Sequence, residues 1–510
     1  MSRGSSHVLL KGAAIMTVFS LLGKCLGVLL RLFLSSRIGS EGIGLYQLLM
    51  SVYGLFAALS TAGLTVAVSR LAAEKEETNP SDAQKLLKVS LPVGLAVSGA
   101  ATLLLLACAP LLAEKAVGDR DTAPALCILA LSMPFMAMAA CFKGWFIAKR
   151  QVLRSSGASL FEQCVKFAVM AFLLGMVMAD TNDIHTLCVG IVLGITLGEG
   201  CSFCYLLIAY RFLKGRLPKS LYRPTESTRD SLRSLYTVMT PIALSVMVTS
   251  LLHTAENLLI PAAFGKFSGD RSVALSEFGV IRGMVIPLLF FPFAFLQSLV
   301  SVMIPEISRL HASRGKETRD RQIGRILSVS FLFGIAAGGL FFFLPDALGA
   351  AFYPGEETAE TLRLLALVTP MMYVQTICDG LLKAVDGQKY TLRYSIYNSI
   401  LRLSVIFTLI PLTGAKGYLL LLMVSNTMEF CLCYFRLRSY ASFPMGMWRN
   451  VLLPIGCSGV AGLCAKWIAS LPILKTATAC AMGGTAVYLV VFLLLSRPLY
   501  LPLIKRRAHP

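Results

Sequence analysis

Apolar residues fall along this chain in long blocks, separated by short polar stretches. Each block runs for about 20 residues or more, the length an α-helix needs to cross a bilayer's hydrocarbon core. About fourteen blocks are legible. The first two lie at 8–36 and 42–70, the eleventh at 391–411, and the last two at 449–470 and 474–496. The pattern predicts an all-α polytopic membrane protein of about 14 transmembrane helices. The first block is read as a membrane helix, because it is too long for a cleaved signal peptide.

Composition agrees with that reading. Of 510 residues, 56% are hydrophobic and only 15% charged, against about a quarter in soluble domains. Mean hydropathy is +0.72. A soluble enzyme, a disordered chain and a disulfide scaffold are excluded. Lys and Arg number 47 against 27 Asp and Glu, a net charge of +20. The basic residues gather in alternate loops, which predicts that both termini are cytoplasmic. The surplus suits anionic lipid headgroups rather than nucleic acid. No P-loop is present, so no nucleotide is expected, and no catalytic constellation or cofactor motif appears. Cys201 and Cys204 form a CxxC inside an apolar stretch, where packing is the better reading. The five histidines (His7, His185, His253, His311, His509) show no ligand spacing, and no metal is expected.

The chain repeats itself. Ser69-Arg70-Leu71 recurs about 240 residues later as Ser308-Arg309-Leu310. Val89-Ser90 recurs as Val329-Ser330. Leu126, Ala130-Leu131, Pro134 and Gly144 recur as Leu362, Ala366-Leu367, Pro370 and Gly380, and Lys166 is matched by Arg402. The expected organisation is an N-lobe of six helices (1–212), a basic cytoplasmic linker (213–233), a C-lobe of six helices (234–440), and two further helices with a basic tail (441–510). An even number per lobe makes the repeats parallel. Two such bundles are expected to enclose a cleft near the bilayer midplane, the design of an alternating-access carrier.

Charge inside hydrocarbon is costly unless it faces a cavity or a partner. Lys24 and Arg31 lie seven residues apart on the first helix, hence on one face. Arg31 is placed near the outer end of that helix, and Arg282 about two turns into the eighth from the outside. These three, with Lys166 and Arg402, are read as a cationic cavity suited to phosphate oxygens. The alternatives are snorkelling for Arg31 and Arg282, and pairing with acids at a gate for Lys166 and Arg402. Glu256 follows His253 by three residues and shares its helix face. It is a candidate for ion coupling to Na+ or H+, or for a structural ion pair. Glu162 precedes Lys166 by four residues, the spacing of an intrahelical pair. Glu306 is placed at a cytoplasmic cap or gate. Glu199, between two glycines, and Glu429 are further buried acids.

At Leu26-Gly27-Val28 through Arg31, Ser36-Arg37-Ile38-Gly39 and Glu41–Gln47 the chain resembles the stage V sporulation protein B family. Pro287–Pro292, Ile304–Ser308 and Ala384–Gln388 extend the resemblance over nearly the whole chain. That family lies in the polysaccharide-transport branch of the multidrug/oligosaccharidyl-lipid/polysaccharide exporter superfamily. The resemblance implies two six-helix lobes plus two extra helices, in the cytoplasmic membrane of a bacterium. It implies a flippase for undecaprenyl-diphosphate-linked oligosaccharide, serving spore cortex or cell wall, with Lys24, Arg31 and Arg282 lining its cavity. A monomer is expected. The rivals are a cation-coupled multidrug exporter of the same superfamily and a non-transporting envelope-biogenesis protein.

Overall fold

The computed structural model describes residues 3–61, 63–216, 225–312, 315–443, 446–471 and 476–499. Within them the chain is entirely helical between turns. The helices are α1 (Arg3–Thr61), α2 (Leu64–Thr78), α3 (Pro80–Leu112), α4 (Ala123–Ala130), α5 (Met133–Ala148), α6 (Val152–Phe172), α7 (Ile184–Arg216) and α8 (Thr228–Ser268). They continue as α9 (Arg271–Phe278), α10 (Ile286–Ala312), α11 (Lys316–Phe343), α12 (Pro345–Phe352), α13 (Ala359–Ala384), α14 (Gln388–Thr408), α15 (Ile410–Tyr440), α16 (Leu453–Ala469) and α17 (Ala477–Leu495).

Twelve stretches among the described residues are long and apolar enough to cross a membrane. The count differs from fourteen for two physical reasons. The first two predicted spans fall in one continuous stretch, Val18–Glu76. The eleventh falls on α14, whose polar side chains, Arg393, Asn398 and Arg402 among them, hold its mean hydropathy below that of the twelve. The stretch Trp448–Ala469 shows how a span is matched to lipid. Its end residues Trp448 and Trp467 are 71% and 66% exposed and stand about 28 Å apart along the helix. Indole rings at that separation sit at the two interfaces of a bilayer. Leu103, Leu412 and Met482 are also largely exposed; so much apolar surface is stable against acyl chains and not against water.

The chain divides into two compact units. Unit 1 contains residues 1–33 and 45–258; unit 2 contains 34–44 and 259–510. In unit 1, α2 packs on α3 and α5, α3 on α5, α5 on α7, and α6 on α7. Val68, Leu86, Phe142 and Trp145 are buried in its core. In unit 2, α10 packs on α11 and α13, α11 on α13, α13 on α15, and α14 on α15. The same order of neighbours therefore recurs in α10, α11, α13, α14 and α15. Leu327, Leu381 and Leu437 fill that core, and the Tyr373 hydroxyl donates to the Leu289 carbonyl. α16 packs on α17 and on α11.

α1 has one break, at Gly39, where φ is 63° and ψ −173°. Only glycine adopts that conformation at low cost. The break opens the hydrogen-bond ladder, and the Ser40 amide donates instead to Glu356 Oε1 at 2.8 Å. Glu356 comes from the short acidic connection between α12 and α13. Beyond the break, α1 meets α9 backbone to backbone. A Cβ on Gly44 would lie 2.1 Å from the Leu275 carbonyl oxygen, and one on Gly279 would lie 1.9 Å from that of Ser40. The Ser40 and Ser276 hydroxyls share a 2.7 Å hydrogen bond. These contacts join residues 34–44 to unit 2.

α7 starts on Asp183. Its carboxylate accepts from the Thr186 hydroxyl (2.6 Å), the Thr186 amide (3.0 Å) and the His185 amide (3.3 Å). These bonds, the hydroxyl's foremost, hold the carboxyl below its usual pKa range.

Candidate functional site: ionisable side chains within the helices

The charged residues singled out in the sequence are distributed over both units. In unit 1, Lys24 is half-buried and Arg31 exposed on α1. Glu256 on α8 is 1% exposed, with His253 Nδ1 3.8 Å from its Oε2. That distance is too long for a hydrogen bond and short enough for electrostatic attraction. Two residues before Glu256, Thr254 donates to the Ser51 carbonyl and ties α8 to α1.

Lys166 lies in a cluster of four ions. Its Nζ donates to Glu162 Oε1 at 2.7 Å and to Glu199 Oε1 at 2.8 Å. Lys143 Nζ donates to Glu162 Oε2 at 3.3 Å. α5, α6 and α7 each contribute, and two cations balance two carboxylates. The Glu162–Lys166 pair is the one its spacing predicts. Lys143 was absent from the sequence reading, and Glu199 was only a further acid. Gly198 is the local signal: a Cβ there would lie 2.4 Å from Lys166 Cγ, so glycine admits the lysine stem. This arrangement matches the pairing reading of Lys166 rather than an open cationic wall.

Removing one member should be costly, because breaking a buried pair leaves charge uncompensated. Lys166→Met is expected to destabilise the protein by about 3–5 kcal/mol. The double variant Lys166→Met with Glu199→Gln restores neutrality and should recover part of the loss. Thermal unfolding in detergent, read by tryptophan fluorescence, checks both; an undiminished single variant would refute the brace.

In unit 2, Arg282 sits in a π-helical turn, Gly279–Val285, between α9 and α10. The wider turn interrupts the regular ladder, a local geometry frequent at functional sites. Arg282 Nε is buried and meets no hydrogen-bond acceptor among the described residues. The same turn is held by the Tyr353 hydroxyl, which donates to the Met284 carbonyl. Arg402 Nε donates to Ser425 Oγ at 3.1 Å. Asn398 Nδ2 donates to Glu429 Oε2 at 2.6 Å. Glu306 is not buried and pairs with Arg309 at 2.6 Å. Unit 2 also holds an apolar cavity of 680 Å³ among α11, α13, α15 and α16. Phe331, Met371, Phe430 and Phe435 line it, and Arg438, Asn450 and Ser458 are among its polar members.

The architecture defines a multi-pass, all-helical membrane protein of the fold shared by lipid flippases and multidrug exporters. It superposes on a lipid II flippase MurJ in its inward closed conformation with a TM-score of 0.72, over 96% of this chain and 100% of that one, at 12% identity. A multidrug resistance MATE family transporter of the MOP superfamily, inward-facing, gives 0.61 over 85% and 97%, at 15% identity. In sequence, stage V sporulation protein B of Bacillus subtilis (strain 168) is 22% identical over 417 residues, covering 81% of this chain and 80% of its own. Residues 9–311 match the family described as polysaccharide biosynthesis protein, and the chain belongs to that family. It is a transporter family rather than an enzyme family.

Proposed function

We propose that this protein is a flippase that carries undecaprenyl-diphosphate-linked oligosaccharide across the bacterial cytoplasmic membrane by alternating access. The substrate is a peptidoglycan precursor or a related polysaccharide unit, for spore cortex or cell wall. Lys24, Arg31 and Arg282 engage the diphosphate. The observation that carries this reading is Arg282: its buried Nε meets no acceptor among the described residues, and a phosphate oxygen would supply one. The likeness to a lipid II flippase supports the same substrate class. The apolar cavity of unit 2 suits a length of polyprenyl chain. Glu256 with His253 is the place proposed for coupling to Na+ or H+.

The recurrent neighbour order supports two parallel lobes, at 1–212 and 234–440, joined by the basic linker 213–233. Fourteen crossings, with two in the Val18–Glu76 stretch and one at α14, belong to the same reading, and the alternation of basic loops supports cytoplasmic termini. The likeness to a multidrug exporter favours a second reading, an exporter of lipophilic cations, but the basic residues oppose a cationic substrate. Reconstituted vesicles separate the two. An undecaprenyl-diphosphate disaccharide placed in one leaflet should become accessible to a modifying enzyme on the other side only when the protein is present. Efflux of a lipophilic cation without that accessibility would overturn the proposal in favour of the rival.

A further inference from the structure

His185 has no metal-ligand spacing in the sequence, yet the fold brings it to two aspartates from another connection. Asp119 and Asp121 lie in the turn that joins the end of α3 to α4, and His185 lies in the first turn of α7. One potential ligand atom from each lies within 4.8 Å of the other two. We propose that Asp119, Asp121 and His185 form a binding site for a divalent transition-metal ion, with Zn2+ the best fit.

Two observations carry it. First, His185 Nε2 and Asp119 Oδ2 are 3.7 Å apart. That is too long for a hydrogen bond, but close to the separation of about 3.4 Å that two ligands adopt across a tetrahedral zinc ion. Second, the aspartate oxygens divide their work. Asp119 Oδ1 accepts from the Asp121 amide at 3.1 Å, which fixes the carboxylate while Oδ2 faces the histidine. Asp121 is exposed, so its side chain can swing in by changing rotamer. The neighbouring Asp183 is occupied in starting α7 and is not a ligand.

The donor set selects the metal. Imidazole with carboxylates suits Zn2+ and its neighbours; Mg2+ and Ca2+ prefer oxygen alone. Three protein ligands leave a fourth position for water. A bound ion would cross-link the turn after α3 to the start of α7, two connections otherwise held by their own helices.

The full-length protein in detergent tests the proposal. Co2+ serves as a spectroscopic probe, and Zn2+ as its competitor. The expected result is one equivalent of Co2+ with visible d–d bands and no thiolate charge-transfer band, displaced by Zn2+ and not by Mg2+. A thiolate band would assign the metal to the cysteines and overturn the site. His185→Gln should weaken binding by more than the roughly 10–100-fold that loss of an outer-shell partner costs. Asp119→Asn retains the acceptor for the Asp121 amide, so its loss of binding would not reflect a lost turn. Zn2+ should also raise the unfolding temperature of the wild type and not of either variant. Equal binding by wild type and both variants would refute the proposal.

Discussion

Replacing Lys24, Arg31 and Arg282 together with alanine is expected to weaken binding of an undecaprenyl-diphosphate sugar at least ~100-fold, without unfolding the protein. Each charge-assisted hydrogen bond to phosphate contributes about 1.5–3 kcal/mol. A tenfold change in affinity needs only about 1.4 kcal/mol. Even strongly non-additive losses therefore reach two orders of magnitude. Stability should hold, because Arg31 is exposed and Arg282 Nε makes no hydrogen bond among the described residues. Native mass spectrometry of wild type and variant, each offered the same lipid, provides the measurement. Equal retention of lipid by both would mean that these cations snorkel to headgroups, and the diphosphate site would have to be sought elsewhere.

The largest expected effect on folding comes from a single methyl-bearing substitution. Gly279→Val should abolish the recovery of monodisperse protein. Its Cβ would stand 1.9 Å from the Ser40 carbonyl oxygen and 2.8 Å from the Gly44 amide nitrogen. Both are backbone atoms, so no side chain can turn aside to make room. The two segments would have to part by about 1.5 Å, which breaks the Ser40–Ser276 bond and exceeds the ~1–3 kcal/mol of ordinary overpacking. Gly54→Ala is the control. Nothing lies within 4 Å of a Cβ there, and alanine favours a helix interior by about 1 kcal/mol. Size-exclusion profiles of the two variants should differ sharply. A well-behaved Gly279→Val protein would mean that the close approach is not required.

What was legible in the sequence was what depends on local periodicity. Apolar block length located most of the helices, because hydrocarbon thickness sets a span. The four-residue spacing of Glu162 and Lys166 foretold their contact, because it is a property of one helix. What depends on the packing of distant segments was not legible. Lys143 and Glu199 reach the same cluster from α5 and α7, and no spacing along the chain records that. His185 and Asp119 meet only after α4, α5 and α6 have run between them. The break at Gly39 was equally hidden, since the residue type permits the conformation without requiring it. α14 marks the limit of that signal. Its apolar block suggests a crossing, while its polar side chains fall short of the apolarity by which a span is recognised alone.

The join between residues 34–44 and α9 has a consequence for biosynthesis. Ser40 and Ser276 are 236 residues apart in the chain. At about 5–20 residues per second, a ribosome takes roughly 10–50 s to pass from one to the other. For that interval the small-residue edge of α1 is in the membrane with its mate not yet made. A gene split at the basic linker would give a carboxyl-terminal fragment lacking this edge. That fragment should be recovered intact only when the amino-terminal fragment is made in the same cell.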